Sequence, residues 1–167
     1  MNLAASTVPL TVAHWPQVEA IYAAGIATGH ATFEAQPPTW EAFDTAKLPD
    51  QGLVAADPAG RVLGWTAASG VSDRCVYAGV VEHSVYVDPA AQGHGIGRLL
   101  LDGLIASAEA AGIWTLQSGI FPENTPSPRL HQTAGFEVVG IRRHLERVTY
   151  GPLARAVARR LHDRTPK

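Results

Sequence analysis

Residues 85–100 read VYVDPAAQGHGIGRLL, in which three kinds of local structure follow one another. An apolar run typical of a strand ends at Asp88-Pro89, because proline cannot donate to a strand ladder. Three alternating glycines then predict a tight loop, and Gly95 begins an amphipathic helix. Such a loop presents unpaired backbone N–H groups at the positive end of a helix dipole. The junction therefore predicts an anion site suited to a pyrophosphate.

Strand and helix patterns are mixed along the rest of the chain, which indicates an α/β or α+β class. Hydrophobic periodicity, turn residues and helix caps predict where these elements begin and end. Strands are predicted at 8–12, 53–56, 62–68, 76–87, 114–120 and 136–141, and helices at 13–28, 40–47, 95–111 and 127–135.

Length and composition narrow the class of protein. The chain has 167 residues, 46% of them apolar and 17% charged, which fits a single domain over 1–167 with a substantial core. A net charge of −2 gives no reason to expect a nucleic-acid partner. Cys75 is the one cysteine, so an intrachain disulfide and a cysteine metal cluster are excluded. Without a signal-like N-terminus or a long apolar run, a cytoplasmic protein with no membrane partner is expected.

The charge is unevenly distributed. Residues 1–128 carry 4 basic and 12 acidic side chains, whereas residues 129–167 carry 9 and 3. This C-terminal excess can face CoA phosphates, a partner subunit or only solvent, and a solvated segment is the simplest interpretation.

Two familiar phosphate-binding loops do not fit the glycines. A Walker A loop requires lysine after the glycine where this chain has Arg98. The dinucleotide fingerprint requires a third glycine where this chain has Leu100. What remains is the pattern Gln92-x-x-Gly95-x-Gly97 at a strand-to-helix junction.

This pattern resembles the acetyl-CoA loop of the GNAT acetyltransferases, and a second family element follows it as Asn124, His131 and Gly135-Phe136. Further likeness to the phosphinothricin and methionine sulfoximine N-acetyltransferase subgroup extends over roughly 8–148. It is carried by Thr32-Phe33-Glu34, Val62-Leu63-Gly64-Trp65, Glu82-His83-Ser84-Val85-Tyr86-Val87 and Gly119-Ile120-Phe121-Pro122-Glu123-Asn124.

The resemblance implies a mixed, mostly antiparallel twisted sheet flanked by helices, with a V-shaped splay at the acetyl-CoA site. It also implies acetyl-CoA as cosubstrate and a homodimer. The spacing of His30, His83 and His94 matches no metal-binding motif, so no metal is expected. The residues it assigns to acetyl-CoA are Val85, Tyr86, Val87, Gln92, Gly93, His94, Gly95, Ile96, Gly97, Arg98, Asn124 and Thr133.

Two residues are candidates for proton transfer. Strand alternation places Glu82 and Ser84 on one face and His83 on the other. The subgroup uses the matching glutamate as general base, although a carboxylate needs burial or a relay for this work, and a structural pairing of Glu82 with Arg74 is the alternative. His131 stands where the wider family often has the tyrosine that donates a proton to the CoA sulfur; a purely structural histidine is the alternative.

The resemblance also implies an acceptor site for a small amino acid. Arginine suits a carboxylate or phosphinate because its planar guanidinium binds two oxygens at once. The residues assigned to the acceptor are Phe33, Glu34, Arg74, Tyr77, Glu82, His83 and Ser84.

Two questions stay open at this point. Leu153, Val157 and Leu161 are spaced as in a helix, whereas the subgroup ends in a strand, so 150–167 is left undecided. The function is expected to be N-acetylation of a small amino acid or analogue. The alternatives are acetylation of another small amine or a protein N-terminus, or acyl-CoA binding without catalysis.

Overall fold

The computed structural model of the chain describes residues 4–142 and, as backbone alone, residues 154–160. The strands are β1 (Ser6–Pro9), β2 (Gly52–Ala56), β3 (Val62–Gly70), β4 (Val80–Val87), β5 (Thr115–Ile120), β6 (Glu137–Arg142) and β7 (Ala154–Arg160). The helices are α1 (Trp15–Ala27), α2 (Trp40–Ala46), α3 (Ile96–Ala110) and α4 (Pro126–Thr133). The strands form one sheet in the order β1-β2-β3-β4-β5-β7-β6. Neighbouring strands are antiparallel except β4 and β5, which run parallel.

Local sequence explains the turns on the first half of the sheet. The β2–β3 hairpin turns at 57–60, where the Asp57 carboxylate accepts from the N–H groups of Ala59 and Arg61, each at 2.9 Å. Gly60 completes the turn with a φ of +84°, which glycine adopts without strain. Helix α2 begins as predicted, because the Thr39 hydroxyl caps it by accepting from the Ala42 N–H at 3.3 Å.

Helix α3 packs along the sheet through one apolar face. The buried residues on it are Ile96, Leu100, Leu101, Leu104, Ile105 and Ala108. On the opposite side of the sheet, α1 covers a cluster centred on Trp65 and Tyr86, whose rings stack 4.6 Å apart. Helices on both faces thus fix β4, the strand that carries the predicted site.

Several boundaries differ from the sequence predictions. The strand predicted over 8–12 lies at Ser6–Pro9, and Val12–His14 form a 3-10 turn. The strand predicted over 76–87 begins only at Val80, because Cys75–Tyr77 form a 3-10 turn. The helix predicted over 127–135 is α4, which begins at Pro126 and ends at Thr133. The backbone of 154–160 is a strand between β5 and β6, which decides the open question for these residues, while Leu153 and Leu161 lie outside the described residues.

None of the helices in the described part of the chain has the length and apolarity needed to cross a membrane.

Candidate active site

The parallel pairing of β4 with β5 is short. It joins Val80, Val81 and Glu82 to β5, although β4 continues to Val87. Beyond Glu82 the two strands separate, which gives the V-shaped splay. The Asp88 N–H donates to the Leu63 carbonyl on the β3 side, so strand alternation turns the backbone groups of Val85 and Val87 toward the gap. This edge of β4 can therefore bind an extended ligand through backbone hydrogen bonds.

The glycine loop lies where this edge ends. Gly93 and Gly95 have φ values of +77° and +83°, which residues with a side chain rarely adopt. Gly95 is the N-cap of α3 and brings no capping side chain, so the first-turn N–H groups stay available to a ligand. A Cβ on Gly97 would lie 2.8 Å from Leu130 Cδ2, which shows how closely α3 approaches α4. The loop is a backbone cradle of the kind that binds phosphate groups.

Two side chains assigned to acetyl-CoA form contacts within the protein. Arg98 Nε donates to the Asp102 carboxylate at 2.8 Å, and Arg98 Nη1 donates to the Thr133 carbonyl at 2.8 Å. The Thr133 hydroxyl donates to the Leu130 carbonyl at 2.8 Å. These bonds tie α3 to α4 beside the loop, and direct contact of Arg98 or Thr133 with a ligand stays a prediction.

A cleft of about 350 Å³ opens beside the splay. Its walls come from β4, β5, the 30–33 loop, the beginning of α4 and the end of β6. The rings of Phe33 and Phe121 meet with centroids 4.7 Å apart at one side. The predicted site residues that the cleft brings together are Phe33, Glu82, His83, Ser84, Val85, Tyr86, Asn124 and His131.

Three residues assigned to the acceptor do not line this cleft. Arg74 and Tyr77 lie at the exposed 3-10 turn before β4, where the Arg74 guanidinium stands 5.8 Å from the centre of the Tyr77 ring. Glu34 is exposed, and its backbone N–H donates to the Thr32 hydroxyl at 3.2 Å. Their contact with an acceptor stays a prediction that the described cleft does not support.

Glu82 is exposed at the cleft. Gln117 Nε2 donates to its carboxylate at 3.3 Å. The structural pairing with Arg74 does not form among the ion pairs of the described residues. A cation lies near Glu82. Lys47 Nζ donates at 3.2 Å to the hydroxyl of Ser69, and Ser69 is the residue of β3 that pairs with Glu82.

His83 and His131 form a buried pair. Their side chains are 2% and 1% exposed, and the two Nε2 atoms lie 3.0 Å apart. His131 Nδ1 lies 2.8 Å from the Ser127 carbonyl, and His83 Nδ1 is buried without a hydrogen-bond partner. Phe136 contacts both rings, with centroid distances of 5.3 and 5.1 Å. Both histidines line the cleft, as do Asn124 and Ser127.

The Acetyltransferase (GNAT) family model matches residues 17–136. The chain belongs to the GNAT acetyltransferase family. It is 38% identical over 131 residues to a phosphinothricin N-acetyltransferase of Alcaligenes faecalis, a match that spans 75% of this chain and 66% of that protein. It is 36% identical over 136 residues to an L-methionine sulfoximine/L-methionine sulfone acetyltransferase of Pseudomonas aeruginosa, spanning 77% of this chain and 78% of that protein.

Solved structures agree with this assignment. The crystal structure of a GNAT superfamily phosphinothricin acetyltransferase from Sinorhizobium meliloti, in complex with acetyl-CoA, superposes with a TM-score of 0.86 at 28% identity. The superposition covers 98% of this chain and 91% of the other. The predicted family and GNAT fold are therefore confirmed. This chain is a GNAT acetyltransferase with acetyl-CoA as its cosubstrate.

The described residues of this acetyltransferase contain no group of three His, Cys, Asp or Glu side chains placed to hold a metal ion.

Burial decides the charge of the histidine pair. Desolvation, together with the neighbouring His131, lowers the pKa of His83 from 6.5 to about 3, and the Gln117 backbone opposes this shift. Desolvation also lowers the pKa of His131, against the opposing effect of the Ser127 backbone. Both rings are therefore neutral at physiological pH, which makes the proton-donating imidazolium expected for His131 unfavourable.

This burial predicts a dependence of stability on pH. Below pH 6.5 the unfolded chain binds a proton at His83 that the folded chain does not bind until about pH 3. The free energy of unfolding should therefore decrease as the pH is lowered through that window, by up to about 1.4 kcal/mol per pH unit for this group. When the free energy of unfolding is measured by urea denaturation between pH 6 and 4.5, its slope against pH should be shallower in His83→Gln than in wild type. The exposed His30→Gln variant should retain the wild-type slope; equal slopes in all three proteins would contradict the assignment.

Several residues at or beside the cleft were not found by sequence reasoning, among them Lys47, Gln117, Ser127 and Arg142. Lys47 closes a short predicted helix, Gln117 lies inside a predicted strand, and Arg142 follows another. For Gln117, alternation along the 114–120 strand was a usable signal. Arg142 belongs to the basic C-terminal excess, but only the fold brings it to the cleft.

Proposed function

We propose that this enzyme transfers the acetyl group of acetyl-CoA to the α-amino group of a small amino acid or analogue, of the phosphinothricin or methionine sulfoximine and sulfone type. The observation that carries the proposal is the pair of opposite charges in one small cleft. Glu82 and Arg142 both line it, and it adjoins the open edge of β4. A zwitterionic amino acid has the complementary charges. The names of the two relatives point to the same class of acceptor.

The thioester is placed by the backbone. In the proposed complex, the pyrophosphate binds the loop at 92–97 and the pantetheine arm lies along Val85 and Val87, with Asn124 opposite. An amide side chain can donate to and accept from such an arm. This arrangement brings the acetyl group to the splay, between Glu82 and His131.

The reaction proceeds by direct attack in a ternary complex. The acceptor ammonium loses a proton to Glu82 through water, and the free amine attacks the thioester carbonyl. The carbon–sulfur bond breaks, and the nitrogen loses its second proton. One of the two protons neutralises the departing thiolate and the other leaves to solvent. Cys75, the one candidate acyl carrier among thiols, is exposed and does not line the cleft.

Arg142 is proposed to bind the acceptor carboxylate. Its side chain is exposed and forms no ion pair within the described chain. A hydrogen bond to a charged group is worth about 1.5–3 kcal/mol, so Arg142→Gln should raise KM for α-amino acids about tenfold or more. Its kcat should stay within about threefold, and KM for an amine without a carboxylate should not change. If Arg74→Gln raised KM for amino acids and Arg142→Gln did not, the carboxylate would belong at Arg74.

The proposal is tested by thiol release from acetyl-CoA with phosphinothricin, methionine sulfoximine, methionine sulfone, ordinary amino acids, a simple primary amine and a peptide as acceptors. We expect the highest kcat/KM among the α-amino acids, with intersecting initial-rate patterns. Fastest turnover of the peptide would indicate a protein N-terminal acetyltransferase. Acetyl-CoA binding without turnover of any amine would indicate a non-catalytic domain.

A further inference from the structure

The hydrogen bonds around His131 determine where its proton lies. The Ser127 carbonyl can only accept, so His131 Nδ1, 2.8 Å away, must carry a hydrogen. A neutral His131 then has a lone pair at Nε2. Because that atom is 3.0 Å from His83 Nε2, the hydrogen between the rings must belong to His83. The bond pattern thus assigns one tautomer to each ring.

The assignment also explains the unpartnered atom. A neutral His83 with its hydrogen on Nε2 has only a lone pair at Nδ1, and this is the buried atom without a partner. A buried acceptor without a hydrogen bond destabilises the folded state, and such groups are rare in proteins. Here the reason is that Nε2–H must point at His131.

We propose that His83 is a positioning residue for His131. The Nε2–H of His83 donates to Nε2 of His131 and so fixes the His131 ring, whose Nδ1–H donates to the Ser127 carbonyl beside the cleft. This inference rests on the proposed function. Both ring nitrogens of His131 are then hydrogen-bonded within the protein, Nε2 to His83 and Nδ1–H to the Ser127 carbonyl. The ring therefore neither stores nor releases a proton, and it holds the Ser127 segment beside the departing sulfur. The Ser127 hydroxyl, 3.4 Å from His131 Nδ1, lines the cleft at the same place.

Burial favours the neutral state of both rings, and the neighbouring His131 adds to this effect at His83. The Gln117 backbone from β5 and the Ser127 backbone from α4 act in the opposite direction, since each raises the pKa of the ring it contacts. Phe136 adds an apolar ring contact. The other charged and titratable groups of the same cleft are Glu82, on the opposite face of β4, Tyr86, also on β4, and His30 and Arg142, on other elements.

The first test does not depend on turnover. The protein is labelled with nitrogen-15 in its histidines, and the imidazole nitrogens of 83 and 131 are assigned with the His83→Gln and His131→Gln variants. We expect a hydrogen on Nδ1 and none on Nε2 of His131, and the reverse in His83, unchanged from pH 8 to pH 6. A hydrogen on Nε2 of His131, or two on either ring at pH 6.5, would overturn the proposal whether or not the protein acetylates amino acids.

The second test separates the hydrogen bond that His83 donates from the space that its ring fills. In His83→Gln the amide nitrogen can take the place of Nε2 and still donate, whereas His83→Phe keeps a buried ring but removes the donor. We expect kcat of the Gln variant within about threefold of wild type and kcat of the Phe variant at least tenfold lower, with Kd for acetyl-CoA within about twofold in both. Equal losses in the two variants, or full activity in the Phe variant, would overturn the role of His83. The nitrogen spectra decide the tautomers even if the Phe variant does not fold.

Discussion

Replacement of Glu82 by Gln is expected to lower kcat about 100-fold or more while Kd for acetyl-CoA stays within about twofold. Removing a positioned general base typically costs a factor of 10²–10⁴ in rate. The substitution keeps the size of the side chain and its capacity to accept from Gln117 Nε2, so the neighbouring contact survives. The loss should therefore lie in proton removal from the acceptor and not in cosubstrate binding. Stopped-flow or steady-state kinetics and a separate acetyl-CoA titration measure the two effects.

The pH dependence of the Glu82→Gln variant is a further expectation. A part of its deficit in kcat should be recovered at high pH, where the acceptor amine is already deprotonated. Glu109→Gln, at the exposed end of α3, is the matched control and should retain wild-type kcat. Unchanged turnover in Glu82→Gln would remove this residue from the mechanism.

Replacement of Gly95 by Ala is expected to weaken acetyl-CoA binding about tenfold. Gly95 has a φ of +83°, and a side chain in the left-handed region costs about 1–2 kcal/mol. The loop can relieve this strain only by changing the direction of the N–H groups that face the pyrophosphate, and about 1.4 kcal/mol corresponds to a tenfold change in Kd. Isothermal titration with acetyl-CoA measures the effect.

Gly60 provides a control with the same backbone strain. Its φ is +84° in the β2–β3 turn, and an added Cβ there would meet nothing within 4 Å. Gly60→Ala should lower the free energy of unfolding by a similar amount but leave Kd for acetyl-CoA unchanged. If both variants bound acetyl-CoA equally well, the glycine loop would not be the pyrophosphate site.

Local patterns predicted most elements of the fold because each depends on neighbours along the chain. Thr39 caps α2 through a residue three positions away, and the Asp57-to-Gly60 turn closes the hairpin within itself. The strand at 154–160 lies beyond this kind of reasoning, since β7 is held by pairing with β5 and β6 rather than by its own periodicity. Its alternating alanines at 154, 156 and 158 were nevertheless a period-two signal.

The site was predicted where a motif carries it and missed where only the fold brings residues together. The glycine loop, Glu82, Asn124 and His131 follow from short motifs. The bond between His83 and His131 joins residues 48 positions apart, so no local pattern reports it. Likewise, Arg142 reaches the cleft from β6, whereas Arg74, which is close to Glu82 in sequence, lies at an exposed turn.

The fate of the acetyl group tests the central claim most directly. The enzyme is incubated with acetyl-CoA labelled with carbon-13 at the carbonyl and with methionine sulfoximine, and the products are followed by NMR. We predict that the label appears as an amide on the α-nitrogen of the acceptor, in a one-to-one ratio with free CoA. Label that stays in acetyl-CoA, or that is released as acetate without an amide product, would contradict the proposal.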